Sequence, residues 1–398
     1  MSSRIYSELR GDKVIWMIFA LLAIFSIIIS YSATGTLAFR YSGGDTSSYL
    51  LKQVGVLSLG LILAYICYLM HPKRYSKMAA TLFLLSIPLL VYTLALGPEI
   101  NDARRWIAVP FTSLTFQTSD FAKIALFMYL AKVLSISEYI KDFNSAFLPI
   151  IVPVIIVVGL ILPSDLSTAV LIFLISMLMM FVGRVDLKYI VLLMMCGLVL
   201  FALMIILGEF FPDFIRVKTW TQRITSFRLN IDGEYQIQQA KMAIASGGFF
   251  WGEGPGNSMV RNTLPSAHAD CVFAVIVEEY GLLGGFVIIS LFLLLLFRVI
   301  TLVTVSNKGF GAMLALGLTL NIVIQALANI AVTVHLVPVT GLTLPMLSYG
   351  GTSLLFTCIS FGIILSVSKN IQKITEPAAE GEDFSKAARP PQGGGDRR

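Results

Sequence analysis

The sequence predicts an all-α integral membrane protein of about ten transmembrane helices. Both termini are expected in the cytoplasm, and one large extracytoplasmic loop is expected between spans 7 and 8. Three observations carry this reading. Apolar residues make up 57% of the 398 residues and charged residues only 13%, against about 25% charged in a soluble domain. The mean hydropathy is +0.83. Apolar runs near the ~20 residues that span a bilayer recur along the whole chain.

Taken in order, residues 1–13 form a short cytoplasmic tail with Arg4, Arg10 and Lys13. The apolar run that follows is longer than the core of a cleaved signal peptide, so it reads as an uncleaved first span. Expected spans are 14–33, 50–70, 79–97, 119–134, 146–163, 168–183, 188–208, 271–297, 311–334 and 351–368. The fourth is short and charged, and the fifth and sixth are separated only by Pro163–Ser167. With the N-terminus inside, Lys and Arg concentrate in the cytoplasmic segments. Every short loop then obeys the positive-inside rule except 98–118, which holds Arg104 and Arg105. The net charge of +6 is therefore topological and does not point to nucleic acid.

Three regions depart from a plain bundle. The loop at 98–118 mixes Arg104, Arg105 and Trp106 with apolar residues, as a segment lying along the membrane interface would. The loop at 209–270 carries six basic and six acidic residues, and its stretch Tyr235–Ser246 fits an amphipathic helix. The cytoplasmic tail 369–398 is rich in Pro, Gly and charge and is expected to lack structure. No internal repeat is visible, unlike in many transporters. The four cysteines form no CxxC pair, so neither a zinc site nor a disulfide framework is indicated.

The unusual polar residues gather toward the outer face. Asp270 ends the large loop where the eighth span begins, at headgroup level. A carboxylate there can act as general base toward a sugar hydroxyl; equally, Asp suits a helix N-cap. Glu278 and Glu279 lie about two turns deeper, where ionisable residues are costly and are kept for function or for a structural ion pair. Asp120 and Lys123, at i and i+3, share a helix face and either form a local salt bridge or reach substrate. Asp165 sits in the tight outer turn, placed to cap the sixth span or to point into an outer cavity. Arg104 and Arg105 suit a pyrophosphate or anchor the interface beside Trp106. Gly252 through Asn257 reads as a turn, since it lacks a GK[ST] ending. His268 lies two residues from Asp270, but one histidine does not make a metal site.

Several segments, in order from about residue 97 to 355, resemble the FtsW/RodA/SpoVE group, the SEDS (shape, elongation, division and sporulation) proteins. Asn101-Asp102-Ala103-Arg104-Arg105-Trp106-Ile107 is similar to an NGxRRWI-like stretch, and Gln117 to Lys123 to QPSExxK. Asp165-Leu166-Ser167-Thr168-Ala169 is similar to DLGTA, and Ser246 through Asn257 to SGGxxGxGxGN. Leu264 through Asp270 is similar to LPEAHTD, and Glu278-Glu279-Tyr280-Gly281 to EELG. Gly341 to Pro345 with Ser348 to Ser353 is similar to GLTLPxxSYGGSS, wording closer to the division branch than to the elongation branch. Departures fall at Asp102, Thr118, Asp120, Ser167, Ser266 and Ala269; the acid at Asp270 is kept.

The resemblance implies peptidoglycan glycosyltransfer. Family members polymerise lipid II at the outer face of the cytoplasmic membrane with a class B penicillin-binding protein and other division or elongation proteins. It maps the family's essential acid onto Asp270. On that basis Asp270 takes the proton from the acceptor GlcNAc 4-hydroxyl, whose oxygen attacks the donor MurNAc anomeric carbon with inversion and expels undecaprenyl pyrophosphate. Arg104, Arg105 and Lys123 are the cations expected to offset its charge, and Asp120, Asp165, His268, Glu278 and Ser348 complete the expected substrate site. A divalent cation (Mg or Mn) could share the task, although no ligand cluster in the sequence requires one. The rival readings are a lipid II flippase, which needs a polar path through the bundle, and a non-catalytic division scaffold, which has no use for Asp270.

Overall fold

The structure is a computed structural model that describes residues 10–35, 46–100, 103–108, 115–136, 143–210, 217–229, 235–258, 270–306 and 309–387. A helix occupies each of the ten expected spans. These are α1 (Lys13–Ala33), α2 (Ser47–Leu69), α3 (Pro72–Leu96), α4 (Thr118–Ile136), α5, α6 (Leu166–Val182), α7 (Leu187–Phe210), α10 (Val272–Val305), α11 (Phe310–Thr333) and α12 (Thr352–Ala387). Helix α5 enters through Phe143–Ala146, passes a π-helical stretch Phe147–Ile151 and continues as Val152–Ile161. Pro149 sits in that stretch and has no N–H for a regular helical bond. Between α7 and α10 lie α8 (Val217–Leu229) and α9 (Tyr235–Ser246). The second matches the expected amphipathic helix, whereas α8 was not foreseen.

Among the described residues, α1, α2, α3, α7, α10, α11 and α12 are long and apolar enough to cross a membrane. Helix α6 and the apolar part of α5 are shorter, and α4 carries Asp120, Lys123 and Lys132. The chain is a multi-pass membrane protein. Helix α11 is the hub. It packs against α4, α6, α10 and α12, and 72% of its apolar window is buried, against 6% for the peripheral α7.

The described part of segment 98–118 holds two antiparallel strand pairs, Glu99–Ile100 (β1) with Ala103–Arg104 (β2), and Trp106–Ala108 (β3) with Thr115–Gln117 (β4). Pairing satisfies backbone groups that would otherwise face a poorly hydrated boundary. Helix α12 continues from its apolar part as far as Ala387; extending a formed helix carries no nucleation cost.

Helix ends are fixed by side chains. Asp12 caps α1 by accepting from the Val14 N–H at 2.9 Å and the Ile15 N–H at 3.3 Å. The same carboxylate meets Arg298 of α10 at 2.5 Å, and the Asp12 N–H donates to Ser368 Oγ of α12 at 2.7 Å. One residue thus joins three helices, α1, α10 and α12.

Helix α10 is broken at Gly281, with φ 72° and ψ 179°. A broken helix at membrane depth must have its backbone groups satisfied by protein, and the Gly-rich segment does this. The Leu282 and Leu283 N–H groups donate to the Gly248 and Phe249 carbonyls, both at 3.2 Å, while the Glu253 and Gly254 N–H groups donate to the Glu278 and Glu279 carbonyls at 2.9 and 3.1 Å. The approach leaves no room for side chains. A Cβ at Gly247 would stand 2.1 Å from the Val277 carbonyl oxygen, and one at Gly252 2.3 Å from that of Glu278. The turn expected at Gly252–Asn257 is therefore a plug in a broken helix.

This geometry predicts that Gly247→Ala costs ~3 kcal/mol through overpacking, read as a lowered thermal midpoint in detergent. Gly55→Ala in α2, where a Cβ meets nothing within 4 Å, is expected to leave the midpoint unchanged.

Candidate active site

The four-residue link 162–165 between α5 and α6 sets one wall of the site. Asp165 caps α6, accepting from the Thr168 N–H at 3.1 Å and Thr168 Oγ1 at 2.9 Å. Its Oδ2 also faces Arg105 Nη1 at 3.2 Å. Arg105, in the link between the strand pairs, donates from Nε to the Ser164 carbonyl at 2.9 Å. Both readings of Asp165, cap and cavity residue, therefore hold together.

These side chains border a cavity of about 420 Å³. Its apolar wall comes from Leu166, Val170, Leu171 and Leu174 of α6, Trp220 and Ile224 of α8, and Ile324 and Ala328 of α11. Arg105, Asp165 and Arg223 supply its charged groups. Arg223, on α8, donates from Nη1 to the Val339 carbonyl at 3.2 Å. An apolar slot bordered by two arginines and one aspartate suits an amphiphile that has an anionic head.

Asp270 precedes α10 but does not cap it. The cap is Cys271, with no side-chain cap bond, so the N-cap reading of Asp270 fails. Its carboxyl is pushed up to about 6, first by loss of hydration; Arg223 and then Arg105 pull it back, and Asp165 pushes it up slightly. These effects put Asp270 in the field of the same three groups that charge the cavity. Such a carboxyl is ionised near neutral pH yet more basic than an ordinary aspartate, as a general base requires.

The structure brings together Asp270, Arg105 and Asp165 from the expected set and leaves others elsewhere. Arg104 is half-exposed, 3.7 Å from Glu99, and donates to the Ala95 carbonyl at 3.2 Å. It lines a narrow crevice together with Arg105, Ser164 and Asp165. Asp120 and Lys123 form a buried ion pair at 2.7 Å, and Lys123 Nζ also lies 3.4 Å from Gln325 Oε1. The local salt bridge accounts for both. Glu278 accepts from Ser258 Oγ, and Glu279 accepts from Ser32 Oγ and the Gly256 N–H. Both carboxylates are buried and secure the plug beside α10, away from the cavity. Ser348 is buried, and its Oγ accepts from the Leu344 N–H at 2.8 Å, closing a turn. His268 lies outside the described residues.

Sequence reasoning missed Arg223. A signal was available: Trp220, Arg223 and Ile224, at i, i+3 and i+4, share one helix face, but the loop had been credited with only one helix. Among the described residues no group of three or more His, Cys, Asp or Glu comes together to hold a metal ion.

Known proteins resemble this chain over most of its length. The family of FtsW, RodA and SpoVE, described as cell cycle protein, matches residues 12–373. Relatives named probable peptidoglycan glycosyltransferase FtsW include one from Geobacter sp. (strain M18), 32% identical over 366 residues covering 91% of this chain and 97% of that protein. Another, from Coxiella burnetii, is 32% identical over 363 residues covering 89% and 95%. Among solved structures, a chain of a peptidoglycan synthase complex that coordinates polymerization and crosslinking aligns with TM-score 0.70 and 28% identity, covering 91% of this chain and 98% of that one. The rod shape determining protein RodA of Thermus thermophilus aligns with TM-score 0.64 and 27% identity, covering 90% and 97%.

The electrostatics predict that the Asp270 carboxyl titrates at about 6, measured by difference infrared spectroscopy against Asp270→Asn. Arg223→Gln removes the larger of the two cationic influences, so the midpoint is expected to rise.

Proposed function

The chain belongs to the FtsW/RodA/SpoVE family, and from that premise we propose that it is a peptidoglycan glycosyltransferase that polymerises lipid II at the outer face of the bacterial cytoplasmic membrane, in the division role of the relatives named FtsW. The observation that carries this reading is the Asp270 carboxyl, held in the field of Arg105 and Arg223 beside an apolar cavity that both arginines border. The apolar wall fits polyprenyl chain. The guanidinium groups fit pyrophosphate, whose oxygens they can engage in paired hydrogen bonds.

In the proposed step Asp270 accepts the proton of the acceptor 4-hydroxyl as its oxygen attacks the donor anomeric carbon. The bond to undecaprenyl pyrophosphate breaks on the opposite face, inverting the centre. Arg105 and Arg223 meet the negative charge that develops on the leaving group, where preorganised charges act most strongly. Arg223 joins the cations first expected there; of those, Lys123 is held in the buried pair with Asp120, while Arg104 lies beside Arg105. A divalent cation, Mg or Mn, could share this task by adding positive charge beside the leaving group; such ions usually take one or two carboxylates plus substrate phosphates, and Asp165 and Asp270 are the carboxylates near the arginines. The proposed partner is a class B penicillin-binding protein that crosslinks the strands, in line with the synthase complex whose chain this one is similar to.

The test is lipid II polymerisation by purified protein with its cognate transpeptidase. Asp270→Ala, folded as judged by its melting, is expected to lose 10²-fold or more of the rate, roughly the worth of a general base. Arg223→Ala is expected to lose ~10²-fold. The rate should fall as pH drops through about 6, because protonation of Asp270 removes the base. Equal product from wild type and Asp270→Ala would sink the mechanism; no product from either, with the partner present, would favour a flippase or scaffold.

A further inference from the structure

We propose that Asn329 is a positioning residue for Asp270: a single buried amide on α11 joins the backbone at Asp270 to the loop that borders the cavity. Asn329 is 1% exposed. Its Nδ2 donates to the Asp270 carbonyl at 2.9 Å and to the Leu342 carbonyl at 2.6 Å. An amide nitrogen has two donors, and both are spent. The orientation of the amide follows, because both partners are carbonyl oxygens and only the NH₂ end can face them. Asn329 lies within the most buried span of the bundle, so its own position is fixed by packing.

The loop at the far side of this tie is pinned carbonyl by carbonyl. The Val339 carbonyl accepts from Arg223 at 3.2 Å, that of Thr340 from Ser167 Oγ at 2.9 Å, that of Leu342 from Asn329, and that of Thr343 from Gln325 Nε2 at 3.0 Å. Helices α8, α6 and α11 each hold one stretch of it. Asn329 is the side chain in this set that also holds Asp270. Gly341, beside Leu342, comes close enough that a Cβ there would lie 3.8 Å from Asp270 Oδ2. The distance between the carboxylate and the cavity-lining loop is therefore set through one amide. The tie falls at the point where α10 has no side-chain cap.

A tie of this kind acts on geometry rather than on chemistry. A base displaced by about 1 Å can lose ~10²-fold in rate, while substrate affinity, set by the apolar wall and the arginines, is kept. The groups that set the charge on Asp270 are Arg223, Arg105 and Asp165, none of which Asn329 replaces. Release of the carboxylate toward water would weaken the desolvation that raises its pKa.

This inference rests on Asp270 being the base, and the experiment separates the two ideas. Polymerisation by wild type, Asp270→Ala, Asn329→Leu and Asn329→Ser is measured against lipid II concentration and pH, with the cognate transpeptidase. Asn329→Leu keeps bulk and loses both donors, and is expected to lower kcat ~10²-fold with KM within about threefold. Its acidic limb should move below the wild-type limb. Asn329→Ser keeps one donor, is expected to fall between, and serves if the leucine variant does not fold. Product from Asp270→Ala equal to wild type would remove the base reading itself. A silent Asp270→Ala beside folded Asn329 variants with wild-type kcat and an unmoved acidic limb would overturn the positioning role alone, as would a rate loss that follows only the folded fraction.

Discussion

Inside a bilayer no water is available to an unpaired N–H or C=O, and each one left open costs several kcal/mol. Two irregular stretches among the described residues answer that constraint. The break at Gly281 exists because residues 248–254 supply donors and acceptors to both sides of it. That contact in turn requires glycine at positions 247 and 252, where carbonyl oxygens stand closer than any Cβ allows. The loop that follows α11 obeys the same rule by another route. Its carbonyls accept from arginine, serine, asparagine and glutamine side chains of three helices. The backbone requirement thus decides where polar side chains sit, and the functional groups are held among them.

The charges follow a second balance, between lost hydration and nearby opposite charge. Asp120 and Lys123 settle it locally, as a buried pair at 2.7 Å. Such a pair adds little net stability but is costly to break, which suits a linkage running from α4 through Gln325 to the Thr343 loop. Asp270 settles it incompletely. Burial raises its pKa and two arginines restore only part of the difference, leaving a carboxylate that is charged at neutral pH and still avid for a proton. Asp12 lies at the opposite end, capping α1 and clasping α10 through Arg298. The helix that Asp270 precedes is thereby anchored in its C-terminal part by the Arg298 ion pair and gripped in its N-terminal third by the glycine plug.

Much of this was legible in the chain. Apolar runs near the length of a bilayer, with basic residues between them, placed a helix in all ten expected segments. The amphipathic pattern of Tyr235–Ser246 gave the second loop helix to the residue. Asp165 and Asp270 stood out because acids at span boundaries are rare. Arg223 and Asn329 did not stand out. The first sits in a polar loop where one arginine among several carries no mark, and the second is an uncharged amide in an apolar run. Their roles depend on partners 116 and 59 residues away, a distance that no local pattern encodes.

The sequence by itself determined the membrane class, the helical segments and the chemistry available at the outer face, because hydropathy and charge act residue by residue. It also determined the family, through motifs that keep their order and spacing. Only the tertiary structure decided which candidates share a site. It brought Arg105, Asp165, Arg223 and Asp270 together, sent Lys123 to Asp120 and Ser348 to a turn, and showed the Gly-rich stretch to be a plug. The physical reason is that hydrogen bonds and desolvation depend on distances of a few ångströms, and in a helical bundle those distances are set by packing between segments far apart in the chain.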